Sequence, residues 1–115
     1  MEVTTEILEN GIQKISLTGR MDVLGSQAID LKFSALIATK KALVMVDMSE
    51  VSFLASLGMR ILLSSAKGLS AGGGFLVLYK PQENVRKVLE SSGVTSLIPT
   101  YGDELDALAD LLARC

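Results

Sequence analysis

The 115-residue chain contains no histidine. That removes Ser-His-Asp and Cys-His catalysis, histidine-based zinc sites and a histidine pH switch together. It has one cysteine, Cys115, at the last position. No internal disulfide can form, and an isolated terminal thiol is a poor start for a metal site. No apolar run approaches the roughly 20 residues that cross a bilayer. No charged-then-apolar signal segment opens the chain either, so the cytoplasm is the expected compartment and no membrane partner is expected. Positive charge is scarce as well. Eleven Lys and Arg against thirteen Asp and Glu give a net charge of −2, short of the basic surface that nucleic acid requires. The adjacent basic pair Lys40-Lys41 reads as a helix end. Internal repeats, low-complexity tracts and linkers are absent from the sequence.

Apolar residues make up 49% of the chain and charged residues 21%, a globular composition rather than a disordered one. The length allows one modest core, so a single domain over residues 1–115 is expected. Val3 to Leu8 and Ile12 to Leu17 alternate on either side of Asn10-Gly11. That dipeptide predicts a tight hairpin turn. Ile15 and Leu17 fall on one face of the second strand, Lys14 and Ser16 on the other. Ser26 to Thr39 predicts a helix with a stripe of Ile29, Phe33, Leu36 and Ile37, and with Ala28, Ala35 and Ala38 allowing close packing beside it.

The stretch from Leu43 to Leu69 organises the rest. Leu43 to Val46 is a short apolar run that suits a strand buried on both faces. Asp47, Ser49 and Glu50 read as a polar turn, after which Val51, Phe53 and Leu54 return to the core. Ser56 opens a helix in which Met59, Leu62, Leu63, Ala66 and Leu69 form the apolar stripe. Ser56, Arg60, Ser64 and Lys67 fall on the polar side at spacings of three and four. A hydroxyl at this first turn meets unpaired backbone N–H groups and the positive end of the helix dipole, a place that favours an anion. Two readings of Ser56 follow: a helix N-cap worth about 1 kcal/mol, or a site of regulated charge.

Gly72-Gly73-Gly74 then runs from helix to strand, opposite to a phosphate-binding loop, and no Gly-Lys-Ser/Thr follows. It predicts a C-cap and turn into a strand at Phe75 to Tyr79. Pro81 marks the next helix start, with Val85, Val88 and Leu89 buried and Gly93 as its stop. Val94 to Thr100 reads as an edge strand because of Pro99. Asp103 caps a last helix that buries Leu105, Leu108, Leu111 and Leu112. This order of elements predicts an α/β fold. Its sheet is mixed, an antiparallel N-terminal hairpin plus parallel strands, packed against about four α-helices.

Two short motifs carry a resemblance. Asp47-Met-Ser49-Glu-Val51-Ser-Phe53-Leu54-Ala55-Ser56-Leu57-Gly58 resembles the signature of the STAS family of bacterial anti-sigma-factor antagonists, roughly Asp-Leu-Ser-x-Val-x-Phe-Ile-Asp-Ser-Ser-Gly. Leu17-Thr-Gly19-Arg-Met21-Asp22 resembles the family's Leu-x-Gly-x-x-Asp. The resemblance spans Ile12 to Leu112 and implies the STAS fold. It aligns Ser56 with the serine that a partner kinase phosphorylates, and it places Asp22 beside that serine. By its own chemistry Asp22 reads equally as a turn or cap residue. Ala55 replaces the acidic residue before the serine, and Leu57 replaces a second serine.

What the resemblance implies is a partner switch. The unmodified protein binds an anti-sigma-type serine kinase, phosphorylation of Ser56 releases it, and a serine phosphatase restores it. Met21, Leu54, Leu57 and Met59 are candidate docking residues, with Ala55, Gly58 and Arg60 beside the site. The alternative is an unphosphorylated docking module in a larger signalling assembly. An enzyme is not expected: a Gly-x-Ser-x-Gly elbow would need glycine at Leu54, and no histidine base exists. No cofactor or metal is expected. The family also supplies cytosolic tails of anion transporters, but a stand-alone regulator is the expected form of this chain.

Overall fold

The computed structural model describes residues 1–8, 10–37 and 42–114. The expected stripe at Phe33, Leu36 and Ile37, Ala38, and the helix end at Thr39 to Lys41 fall outside the described side chains and residues.

The strands β1 (Glu2–Ile7) and β2 (Gln13–Met21) pair antiparallel, with Thr5 opposite Ile15. Then follow α1 (Val23–Ile37), β3 (Leu43–Leu54), α2 (Ser56–Ala71), β4 (Phe75–Tyr79), α3 (Glu83–Ser91), the single turn α4 (Val94–Leu97), β5 (Thr100–Tyr101) and α5 (Glu104–Leu112). The five strands lie in chain order, β1-β2-β3-β4-β5, and every pair after the first is parallel. Among the described residues this is the expected α/β fold with a mixed sheet, four helices and one additional helical turn.

Alternation along the strands divides the core in two. Ile15, Leu17, Val44, Val46 and Met48 face one way and pack with Ile29, Leu62, Leu69, Val85, Leu89 and Val94 from α1 to α4. Ile12, Met45 and Val77 face the other way, against Ala107 and Leu111 of α5. Tyr101 anchors α5 through a hydrogen bond from its hydroxyl to Asp110, which also accepts from Arg114 at 2.9 Å. That bond to Asp110, aided by burial, raises the Tyr101 pKa above its ordinary value.

Several expectations shift. The hairpin turn is longer than a two-residue Asn-Gly turn: the Leu8 carbonyl accepts from Gly11 N–H, and Leu8 N–H donates to the Ile12 carbonyl. Gly11 sits at φ +83° and closes the loop as the left-handed residue of a bulge. Asp47, Ser49 and Glu50 form no turn; β3 runs unbroken through them. Ser16 pairs with Asp47 but Thr18 pairs with Glu50, so β3 carries an extra residue there, and a second between Val51 and Phe53. The Asp47 carboxylate accepts from Ser49 N–H at 2.9 Å and serves an amide displaced by the first bulge.

Beyond Asp47, β3 has outrun β4. Gln82 Nε2 and Asn84 Nδ2, at the start of α3, donate to the carbonyls of Ser49 and Ser52 instead. Pro81 precedes the cap residue Gln82 rather than opening the helix. Val94 to Leu97 is helical, and only Thr100 and Tyr101 form a strand. In α5 the buried side chains are Ala107 and Leu111, whereas Leu105 and Leu112 are exposed. Ala28 and Ala35 of α1 also face solvent, not the core. The triple glycine ends α2 as expected: Gly73 N–H donates to Ser70 and Gly74 N–H to Leu69, with Gly73 at φ +91°.

Candidate functional site

The carboxyl ends of β2 and β3 meet, with Met21 paired to Leu54. Each strand leaves the sheet there, β2 into α1 and β3 into α2. The Met21 carbonyl accepts from Ala55 N–H at 2.9 Å and stitches the two exits together. Ligands and partners of open parallel sheets commonly gather beyond such strand ends.

Helix α2 begins directly on this junction. Ala55 holds the N-cap position with extended backbone (φ −94°, ψ 170°) and provides no side-chain cap. Ser56 is the first helical residue and is exposed. The cap reading of Ser56 is therefore corrected by one position: the residue with cap geometry is Ala55, which has no hydroxyl or carboxylate to use. Gly58 lets the first turn lie flat, since a β-carbon there would stand 2.8 Å from Met21 Cγ and 2.9 Å from Leu54 Cδ1. The buried side of α2 is Gly58, Ile61, Leu62, Ser65 and Leu69, while Met59, Leu63 and Ala66 are only partly buried. Ser56, Arg60, Ser64 and Lys67 all face solvent.

The structure sorts the four apolar docking candidates. Met21 and Leu54 are core residues, at 0% and 5% exposure. Leu57 and Met59 are partly buried and reach the surface. Asp22 is the N-cap of α1: its Oδ1 accepts from Gly25 N–H at 2.8 Å, and Arg20 Nε lies 3.6 Å from its other oxygen. Arg60, one turn along from Ser56, makes no ion pair among the described residues. A phosphate on Ser56 would meet the free N–H groups of the first turn and a cation within reach on the same face.

Two surface residues of this junction escaped the sequence reading. Phe53 is 38% exposed, and the Arg20 guanidinium stacks 4.4 Å from the centre of its ring. Strict alternation aims Phe53 inward, and only the bulge before it turns it out. Among the described residues no three His, Cys, Asp or Glu side chains gather to hold a metal, and no helix is long and apolar enough to cross a membrane.

The missing cap is directly testable. In Ala55→Asp a carboxylate would accept from the second or third N–H of α2 while the backbone already has the required extended shape. The expected result is a gain of about 1 kcal/mol in urea unfolding, within the range for N-caps. An unchanged midpoint would show that the first-turn N–H groups need no partner here.

The STAS domain family model matches residues 5–107. BtrV of Bordetella bronchiseptica is 27% identical over 109 residues, covering 95% of this chain and 93% of BtrV. The anti-sigma-F factor antagonist RsfB of Mycobacterium tuberculosis is 26% identical over 99 residues, 86% of this chain and 80% of RsfB. The anti-sigma factor antagonist SpoIIAA in its unphosphorylated form superposes with a TM-score of 0.78 at 24% identity, covering 97% of both chains. The phosphorylated form of SpoIIAA from Bacillus gives 0.69 over 95% of this chain and 98% of SpoIIAA. Those structural likenesses show a shared fold.

Proposed function

The chain belongs to the STAS domain family, and on that premise we propose that it works as an anti-sigma-factor-antagonist-like partner switch with Ser56 as its trigger. The unmodified protein binds an anti-sigma-type serine kinase through the surface around the start of α2. The kinase transfers the γ-phosphoryl group of ATP to the Ser56 hydroxyl, the complex separates, and a serine phosphatase returns the protein to its binding state. On this reading the protein is a regulator in the cytoplasm and not itself an enzyme.

The observation that carries the reading is the position of Ser56. It is exposed, opens α2 and is not the residue that caps it, so its hydroxyl is available for modification without dismantling a helix end. A phosphate adds roughly −1.5 to −2 charges. Within the protein that charge faces the helix N-terminus and Arg60. Across a contact surface it meets partner groups arranged for a neutral hydroxyl, and it repels them. The switch then needs no change of fold, only a local change of charge. The relatives lend support: RsfB is named an anti-sigma-F factor antagonist, and SpoIIAA is known in both unphosphorylated and phosphorylated forms.

Ala55 and Leu57 favour a second reading, a docking module that is never phosphorylated, because the acidic residue and second serine of the family pattern are absent. One experiment separates the two. Wild type, Ser56→Ala and Ser56→Asp are tested for binding to candidate anti-sigma-type serine kinases, with and without ATP. The switch predicts that wild type and alanine bind alike, that aspartate binds at least tenfold more weakly (about 1.4 kcal/mol), and that only wild type takes up phosphate. Equal binding by all three with no phosphate incorporated would leave the docking module.

A further inference from the structure

Helix α1 is apolar on two sides. Its inner side carries Gly25, Ser26 and Ile29, all buried against the sheet and α2. Its outer side carries Leu24, Ala28, Leu31 and Ala35, all exposed, with Leu24 at 78% and Leu31 at 83%. The spacings four, three and four place these side chains in one line along the helix, the a/d seam of a helix that pairs with another helix. One apolar stripe is what a surface helix needs to dock on its own core. A second, turned to water over three turns, is unusual for a surface helix with a single partner.

The order of large and small side chains says what covers it. The positions of Leu24, Ala28, Leu31 and Ala35 are symmetric about the midpoint between Ile29 and Asp30, and each large residue is mirrored by a small one. Two copies of α1 laid antiparallel about a twofold axis at that midpoint set each Leu24 against Ala35 of the second copy, and each Ala28 against Leu31. Every large side chain then meets a small one, and the alanines allow the axes to approach to about 8 Å, the short end of the helix-pair range. A twofold contact must be self-complementary in this way. Gln27 and Ser34, exposed along one side of the seam, are uncharged, and Asp30, exposed between them, sits farther round the helix from the seam. We propose that the outer face of α1 is a self-association surface, and that the protein forms an antiparallel dimer through it.

The contact is small. The seam runs eleven residue steps, about 17 Å at 1.5 Å each, so the buried area falls below that of a standard stable interface, roughly 1,600 Å² in total. The dimer is accordingly weak, and it responds to local concentration.

Sedimentation velocity on the full chain between about 10 and 500 µM tests this. Wild type is expected to pass reversibly from monomer to dimer over that range. Leu24→Glu and Leu31→Glu change exposed positions, so they keep the wild-type melting temperature, and each weakens dimerisation at least tenfold. A wild type that stays monomeric at the highest concentration overturns the proposal and leaves the stripe to a different protein. Charged variants that dimerise like wild type overturn it too, by placing the contact elsewhere. No kinase enters the assay, so its outcome is independent of the role proposed for Ser56.

Discussion

Gly25→Ala lowers the stability of the fold by about 3 kcal/mol, at the upper end of the range for overpacked interiors. For a chain of this size that is a fall in Tm of roughly 10–15 °C. Helix propensity alone predicts the opposite sign, because alanine in place of glycine in a helix gains up to about 1 kcal/mol. The opposing term is steric. A β-carbon on Gly25 would lie 2.2 Å from the Arg20 carbonyl oxygen and 3.2 Å from the Asp22 Oδ1 that caps the helix. The first obstacle is backbone at the end of β2, which cannot rotate aside. The first turn of α1 must lift away, and the bond between Asp22 Oδ1 and Gly25 N–H lengthens with it. Urea unfolding of the two proteins decides the matter, and a midpoint equal to or above wild type would refute this account of the α1 start.

Met21→Ala is expected to cost a similar amount, about 3 kcal/mol within the 2–5 kcal/mol range for large-to-small core changes. Met21 has no exposed surface and lies under Gly58, against Leu54. Removing its side chain opens a cavity beneath the first turn of α2, the turn that presents Ser56. A docking residue would behave differently, losing partner affinity at nearly constant stability. Unfolding of the isolated protein therefore separates the roles: a loss under about 1 kcal/mol would return Met21 to the surface class, and a loss near 3 kcal/mol keeps it in the core.

Most of the fold could be read from the chain, and the failures share a cause. Apolar periodicity located the hairpin, the central strand and the helices, because each buries one continuous stripe. It failed where geometry broke its period. Val51 and Leu54 are buried on the same side of the sheet though three positions apart, which no regular strand allows; the bulge between Val51 and Phe53 resets the phase and sends Phe53 outward to Arg20. The polar trio Asp47, Ser49 and Glu50 marks the other bulge, and its sequence reads equally as a turn, since both leave a backbone amide for a carboxylate to serve. Leu105 and Leu112 show the converse error. α5 covers one small cluster, and Ala107 and Leu111 fill its contact, so leucines at helical spacing need not all be inside. Ser56 was visible through the motif around it. Its displacement from the cap position was not, because a helix boundary within one residue depends on backbone angles that no side-chain pattern encodes.

The order of the sheet has a consequence for how the chain assembles. Each strand lies beside the one before it, Ile15 with Val46, Met45 with Val77, Leu78 with Thr100, so no strand must wait for a distant segment to be wedged between two others. Every ladder closes over a stretch of chain far shorter than the whole, which keeps the entropy of loop closure low at each step. During synthesis the hairpin can form first, and each later strand then finds its edge already in place as it leaves the ribosome. An exposed edge is always the next docking site and is soon covered, which shortens the time it stands open to other chains.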